Sequence, residues 1–560
     1  MEQESRKLLT LAHFEFNQKY YRTYQKTQYS CGDQYYVDTL TNNNLHSIFS
    51  DRIRMILLLI TLISSINIIS ANPCKNCELH AAVSSNNLHA VKKYIIQNTN
   101  INQPDKQGKT PLHYSSINNY IEITKLLLDI PNIDINQPDN EGYTPLHYST
   151  INNHLETNVM LLKLPNINVN FPSKGGQTAL YTAAKTGNVQ ILSNLLLANA
   201  DPTLLTKKGS SVLHAAAYSG NPAVLKSILL ASQEVRQNIN IPSPSTGHTP
   251  LQTAAIQGNI DNVKLLLTRD GGFIDCNVRV TTTGATALIY ATTHNSLETV
   301  TYLLEYCYGI DVDAETSDGW TSFMMAARTG NKDILKALMN AKSTASAKKD
   351  LINHVSKHNH QTALIVAAHN NQFEIVLWLL QQDGIEPDRI VDQGWNALFA
   401  AIEIGNSDIV RELLVSKNVN ARAIRSNGWS ILHQACFNGK YDIVRSIFKY
   451  VNTNIINLES LSDHHTPLSL SLGHLNIVKL LIRDGRCELN YKIQGKQGST
   501  ALMLAAKAGY LDVVKLLSND KRVDISEKNN FALTALDIAR KNNRHEVEKF
   551  LSLKERMKEL

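Results

Sequence analysis

A phrase of 34 residues, spoken first between Gly108 and Gly142, recurs along most of this chain and limits the folds open to it. It begins Gly-x-Thr-Pro-Leu-His. Thr110 is placed to cap a helix, because its hydroxyl can accept from an unpaired backbone N–H of the first turn. Pro111 then falls at the first helical position, where its missing N–H costs nothing. The pattern predicts a short helix to about Asn118, a turn at Asn118 and Asn119, and a second helix from Ile121 to about Asp129. Ile123 and Leu126 to Leu128 form the apolar face of that second helix. Pro131 bars its continuation, and a polar segment, Asp134 to Glu141, carries the chain out and back to the next glycine.

The phrase returns after Gly142, Gly176, Gly209, Gly247, Gly284, Gly319, Gly394, Gly428 and Gly498, and His360 and His464 stand in the glycine's place in two more copies. The first four glycines are 34, 34 and 33 residues apart. A fixed period near 33 with Thr-Pro-Leu-His-x-Ala wording resembles the ankyrin-repeat family. The resemblance spans roughly residues 78–560 in about fourteen copies. It implies an all-α solenoid of helix-turn-helix pairs with projecting hairpin loops. Small residues inside the first helices, such as Ala183, Ala184 and Ala215 to Ala217, fit the close packing that this family implies. No copy can bury its apolar face alone, so stacking must supply the core. The copy at Glu78 to Gln107 lacks the Gly-x-Thr-Pro opening and reads as a cap. The last, from Thr534, ends in a highly charged helix suited to closing the stack. Where the spacing stretches, as between Gly319 and His360, the surplus is expected in loops, with a short extra helix near Asp350 to Val355.

The chain has 560 residues, which as separate globules would make roughly three or four domains. The repeats replace that estimate with one linear array. A net charge of +6 is small for this length and gives no reason to expect a nucleic-acid partner. Residues 1–54 match no copy and hold six of the chain's 21 tyrosines. Poor order is expected there, or translation that starts further along. Met55 to Ala71 is uncharged and apolar, follows Arg52 and Arg54, and ends in a small residue. Three readings stand: a secretory leader, a membrane anchor, or a buried helix that caps the array. The chain is accordingly secreted or membrane-associated, or cytoplasmic if this segment is no targeting signal. The seven cysteines show no disulfide framework, and the lone Cys74-Lys75-Asn76-Cys77 has no second pair to make a zinc site.

No catalytic motif is present: there is no phosphate-binding loop, no Gly-x-Ser-x-Gly, no His-Glu-x-x-His and no calcium loop. The chain therefore reads as a non-enzyme without cofactor or metal. His113, His147, His214 and His433 occupy one repeat position, which the resemblance makes structural. Three of the four tryptophans share another: Trp320, Trp395 and Trp429 each follow an opening glycine, and Tyr143 holds the same place earlier. The resemblance places that position at a hairpin tip beside the concave face, where exposed aromatics can anchor a partner. Arg328, Glu403 and Phe437, just before the turn between helices, would adjoin them. These seven residues are the candidate protein-binding site. The expected function is a monomeric protein-interaction scaffold, with a secreted or surface effector as one setting for it; the alternative is a membrane-anchored receptor or adaptor. Leu266, on the apolar face of a second helix, should be shared between neighbouring copies. Leu266→Ala is expected to lower stability by roughly 2–5 kcal/mol in urea unfolding; an unchanged midpoint would place it off that face.

Overall fold

Helix pairs follow one another from Glu78 to Glu559, fourteen among the described residues, with two extra α-helices and two short 3-10 helices between pairs. The computed structural model describes residues 78–559 apart from 98, 269–273, 359, 390, 392–393, 417–418 and 452–453. Residues 76–560 form one compact unit. The expectations for residues 1–54 and 55–71, and for Cys31, Cys74 and Cys77, lie outside the described residues. The described elements are helices and turns, with isolated bridges such as Glu315 to Thr321 at hairpin bases.

Pair two illustrates the local rules. Its first helix is Pro111–Asn118 and its second is Ile121–Leu128. Thr110 sits in extended backbone before Pro111, and Asn119 closes the first helix in the left-handed region. On the second helix the buried residues are Ile123, Thr124 and Leu127, whereas Leu126 is only partly buried. The expectation that Leu126 belonged to the buried face is thus off by one position. Ile123 and Leu127 are four apart and share a face; a run of three leucines does not show which of them completes it. Leu517 rather than Leu516 is buried for the same reason, while Leu266 is fully buried as expected.

First helices pack on first helices and second on second, so that one apolar core runs from Leu79 to Leu551. Ala183, Ala184 and Ala215 to Ala217 are buried along it. The last helix, His545–Glu559, turns Val547 and Leu551 into the core. The surplus after pair eight forms a helix at Ala345–Ile352, somewhat earlier than the sequence suggested, and a second surplus forms Gln233–Gln237 after pair five.

Three polar contacts lock one pair to the next. The first is a hairpin contact. Gly142 has φ +83°, and a Cβ there would stand 2.5 Å from the backbone nitrogen of Lys174 in the next hairpin. Glycine is required on both counts. His360 and His464 take up the same left-handed backbone at φ 46° and 54°. The second is an asparagine clamp in the loops. Asn102 donates to the Asn132 carbonyl at 2.8 Å and accepts from the Asp134 N–H at 2.8 Å, and Asn136, Asn277, Asn353, Asn457 and Asn490 repeat this downstream.

The third is the histidine of the opening phrase. His113 Nδ1 accepts from the Thr110 backbone N–H at 3.0 Å, and Nε2 lies 3.0 Å from the Tyr143 carbonyl of the next pair. A carbonyl can only accept, so Nε2 carries the hydrogen and the ring is neutral. His147 and His433 repeat both bonds. His214 reaches the His248 carbonyl at 3.0 Å and bonds the Ser211 hydroxyl at 2.7 Å. Gln252 does the same work with its amide, accepting from Thr249 N–H at 2.8 Å and donating to the Val278 carbonyl at 2.6 Å. In the pair that starts at Thr534 the position holds Asp537, an acceptor only, which takes the Thr534 N–H at 3.0 Å.

One expectation is corrected. Cys276 and Cys307 form a disulfide with a Cα separation of 6.3 Å. They stand 31 residues apart, close to one repeat, and stacking brings residues a repeat apart side by side. Scatter along the chain therefore did not mean separation in space.

Burial holds His147, His214 and His433 down at about 4, below the ordinary 6.5. Between those values the unfolded chain binds protons that the folded chain does not. Stability therefore rises with pH through that window and is lost as pH falls from 6.5 toward 4. Each histidine should contribute roughly 1.4 kcal/mol per pH unit within it. The triple variant H147Q, H214Q, H433Q copies the amide of Gln252 into these joints. It should keep its stability at pH 7 and lose less of it on acidification. Urea midpoints measured from pH 7 to pH 4.5 check this, and an acid limb as steep as the parent's would contradict it.

Candidate functional site

Two positions in each repeat face the side that carries the hairpin tips and first helices. One comes directly after the opening glycine. The other lies in the last turn of the first helix. The side chains at both positions differ from copy to copy, and so does their burial: Trp320 and Ala285, each after an opening glycine, belong to the apolar core, whereas Phe437 is exposed.

At pair eight, Trp320 comes after Gly319, and Arg328 lies in the last turn of the helix Ser322–Thr329. The Arg328 guanidinium lies over the Trp320 ring at 5.9 Å. Trp320 is only 8% exposed. The next hairpin lies close by: His354 Nε2, two residues beyond the extra helix, bonds the Gly319 carbonyl at 3.2 Å. A Cβ on Gly319 would touch the backbone nitrogen of Lys357. Trp320 is thus a wall of the surface, not the exposed anchor that its position suggested.

At pairs ten and eleven the same position is half-buried. Trp395 stacks near Phe399 at 6.1 Å. Trp429 meets Phe437 edge-on at 5.3 Å, and its indole N–H donates to Asp463 at 3.3 Å. Phe437, last residue of the helix Ile431–Phe437, is 56% exposed. Glu403, on the helix Ala397–Ile404, is exposed as well. Burial raises the Asp463 carboxyl, but the bonds from Ser460 and Trp429 outweigh it and leave the group below its ordinary range. Tyr143 stands apart. It is half-buried in pair three, where its ring meets His147 and Tyr148 and its hydroxyl donates to Gln177 at 3.3 Å.

The structure therefore joins Trp320 to Arg328 and Trp429 to Phe437, and leaves Tyr143 with neighbours of its own. It also adds Arg425, which the sequence did not single out. Its guanidinium lies 4.6 Å from the Trp395 ring centre and 6.0 Å from that of Phe399. Burial pulls its pKa down, while the charge of Glu403 pushes it back up. The signal was present: Arg425 stands three residues before Gly428, where Asp105 and Asp139 stand before Gly108 and Gly142. A reversed charge at a repeat position shows once the copies are laid over one another.

Both ring nitrogens of His113, His147 and His433 are spent on holding the stack, so these histidines offer nothing to a metal.

The fold defines the class, an all-α repeat solenoid. A family model of ankyrin repeats, three copies long, matches residues 79–173, 159–241, 213–316, 306–391, 385–459 and 468–558. The chain belongs to the ankyrin-repeat family. Ankyrin repeats generally mediate protein–protein interaction and are typically non-catalytic.

Proposed function

We propose that this chain is a scaffold that grips a partner protein on the face built from hairpin tips and first helices, at pairs eight to eleven. The observation that carries this is Phe437, a large apolar ring left 56% exposed against half-buried Trp429. Aromatic rings and arginines are the common anchors of protein interfaces. Glu403 and Arg425 add charge beside it, which sets register more than affinity. Trp320 and Arg328 form the border toward pair eight.

The second reading concerns place. Disulfides persist in oxidising compartments, and Cys276–Cys307 is one. That favours export and accords with Met55 to Ala71 as a leader. The competing role for the segment is the anchor of a surface receptor or adaptor. Among the described residues no helix is long and apolar enough to cross a membrane.

Capture with the full chain should recover a protein that a Trp429→Ala, Phe437→Ala variant fails to hold, while the variant's unfolding midpoint shifts by only a few degrees. Equal recovery by both would overturn the assignment of this patch. N-terminal sequencing of the natively expressed chain should begin near Asn72. A start at Met1, with resistance to carbonate extraction, would replace the leader with the anchor.

A further inference from the structure

Arg425 is built into its surroundings in a way that the fold does not need. Three residues before the opening glycine, several other hairpins use an oxygen to close on themselves. Asp105 Oδ1 accepts from the Lys109 N–H at 2.8 Å, Asp139 Oδ1 from the Tyr143 N–H at 2.9 Å, and Thr206 Oγ1 from the Ser210 N–H at 3.0 Å. A guanidinium has five donors and no acceptor, so it cannot take this role. In the hairpin that opens pair eleven, Asn427 takes it instead, accepting from the Trp429 N–H at 3.0 Å.

Freed from the hairpin, the Arg425 side chain crosses to the pair before. A Cβ on Gly394 would stand 2.7 Å from Arg425 Cα, so the two hairpins touch. The guanidinium then lies against the rings of Trp395 and Phe399. The head donates from Nη1 to Gln434 Oε1 at 3.4 Å, a long hydrogen bond. Nε is shut off from solvent without an acceptor. Among the described residues no carboxylate lies within ion-pair distance of Arg425: Glu403 acts on it only at range. Elsewhere in the array arginines find carboxylates readily, as Arg486 does with Asp484 at 2.6 Å and Arg522 with Asp520 at 2.9 Å. A half-buried guanidinium without a counter-charge is costly. Its stack on Trp395 holds it in one orientation, which lowers the cost of meeting a ligand.

We propose that Arg425 is the seat of a carboxylate from a partner polypeptide, an Asp or Glu side chain flanked by an apolar residue that covers Phe437. This rests on the reading of the face as a protein-binding surface and names the chemistry that the surface selects. With Nε closed off, Nη1 and Nη2 are the two parallel N–H donors that match a carboxylate. Gln434 and Phe437 are three apart on one helix and share a face, so the acid and the apolar neighbour would be close in the partner's sequence. Glu403 acts on Arg425 from nearby and disfavours a dianion such as a phosphate, leaving a single negative charge as the better fit.

The test uses a displayed library of short random peptides selected on the full chain. Selected peptides should share an Asp or Glu beside an apolar residue. R425M, which keeps the stem on Trp395, should weaken them roughly tenfold or more. R425K, which keeps the charge and loses the fork, should fall between the two. Changing the peptide's acid to its amide should cost as much on the parent chain and nothing further on R425M. Thermal unfolding of both variants should match the parent. Peptides that weaken with F437A but not with R425M would overturn the acidic seat and leave the binding face standing. Peptides indifferent to both would overturn the seat and the face together.

Discussion

Each pair of helices is stable only because the next one covers it. The burial of one pair's apolar face by its neighbour is the interaction on which the rest depends. Such a stack has nearest-neighbour energetics. A change at one joint is felt across two pairs and little beyond them. The side chain of His113, His147, His214 or Gln252 is the polar part of that joint, reaching from a first helix to the next hairpin. In pairs seven to ten the same position holds Ile289, Met324, Ile365 and Phe399, all buried. There the joint is apolar. The disulfide Cys276–Cys307 ties the chain together at the start of this stretch, where the polar clamp ends.

The candidate surface occupies that apolar-jointed stretch and its C-terminal border. This has a physical logic. A histidine or glutamine at the joint spends its polarity inward, on the neighbouring carbonyl. Where the joint is Phe399, an aromatic platform forms instead, and Trp395 and Arg425 build on it. At pair eleven the histidine clamp resumes with His433, and Trp429 lies over it at 6.3 Å. The change of joint chemistry and the aromatic surface are two aspects of one local substitution pattern. Charge respects the same division: Glu403 and Arg425 remain outside the joint, where partial exposure leaves them available to a partner.

The same repeat position does not guarantee the same environment. Trp320, Trp395 and Trp429 occupy equivalent places, yet Trp320 is closed over and the others are half open. The difference lies in the segment that links each pair to the next. The extra helix Ala345–Ile352 lies between pair eight and the next hairpin, and His354, two residues beyond it, bonds the Gly319 carbonyl. The hairpins of pairs ten and eleven are 34 residues apart, and among the described residues the link after pair eleven holds only a 3-10 turn, Asn454–Asn457. Exposure therefore does not follow from repeat position alone.

Much of this protein was determined by its sequence alone. The period, the opening Gly-x-Thr-Pro, the helix end at Asn118, the end of the second helix to within a residue of Asp129, and the stand-in role of His360 and His464 all express local rules. Caps, proline geometry and left-handed backbone act over a few residues and need no partner. Other features were decided only by the tertiary structure. Whether Leu126 or Leu127 faces the core depends on the angle at which the second helix meets its neighbour. Whether Cys276 meets Cys307, whether Trp320 is covered, and where the Arg425 head comes to rest depend on groups a full repeat or more away. Those outcomes are set by the stacking of one pair on another, and a linear string of residues does not carry the distances across that joint.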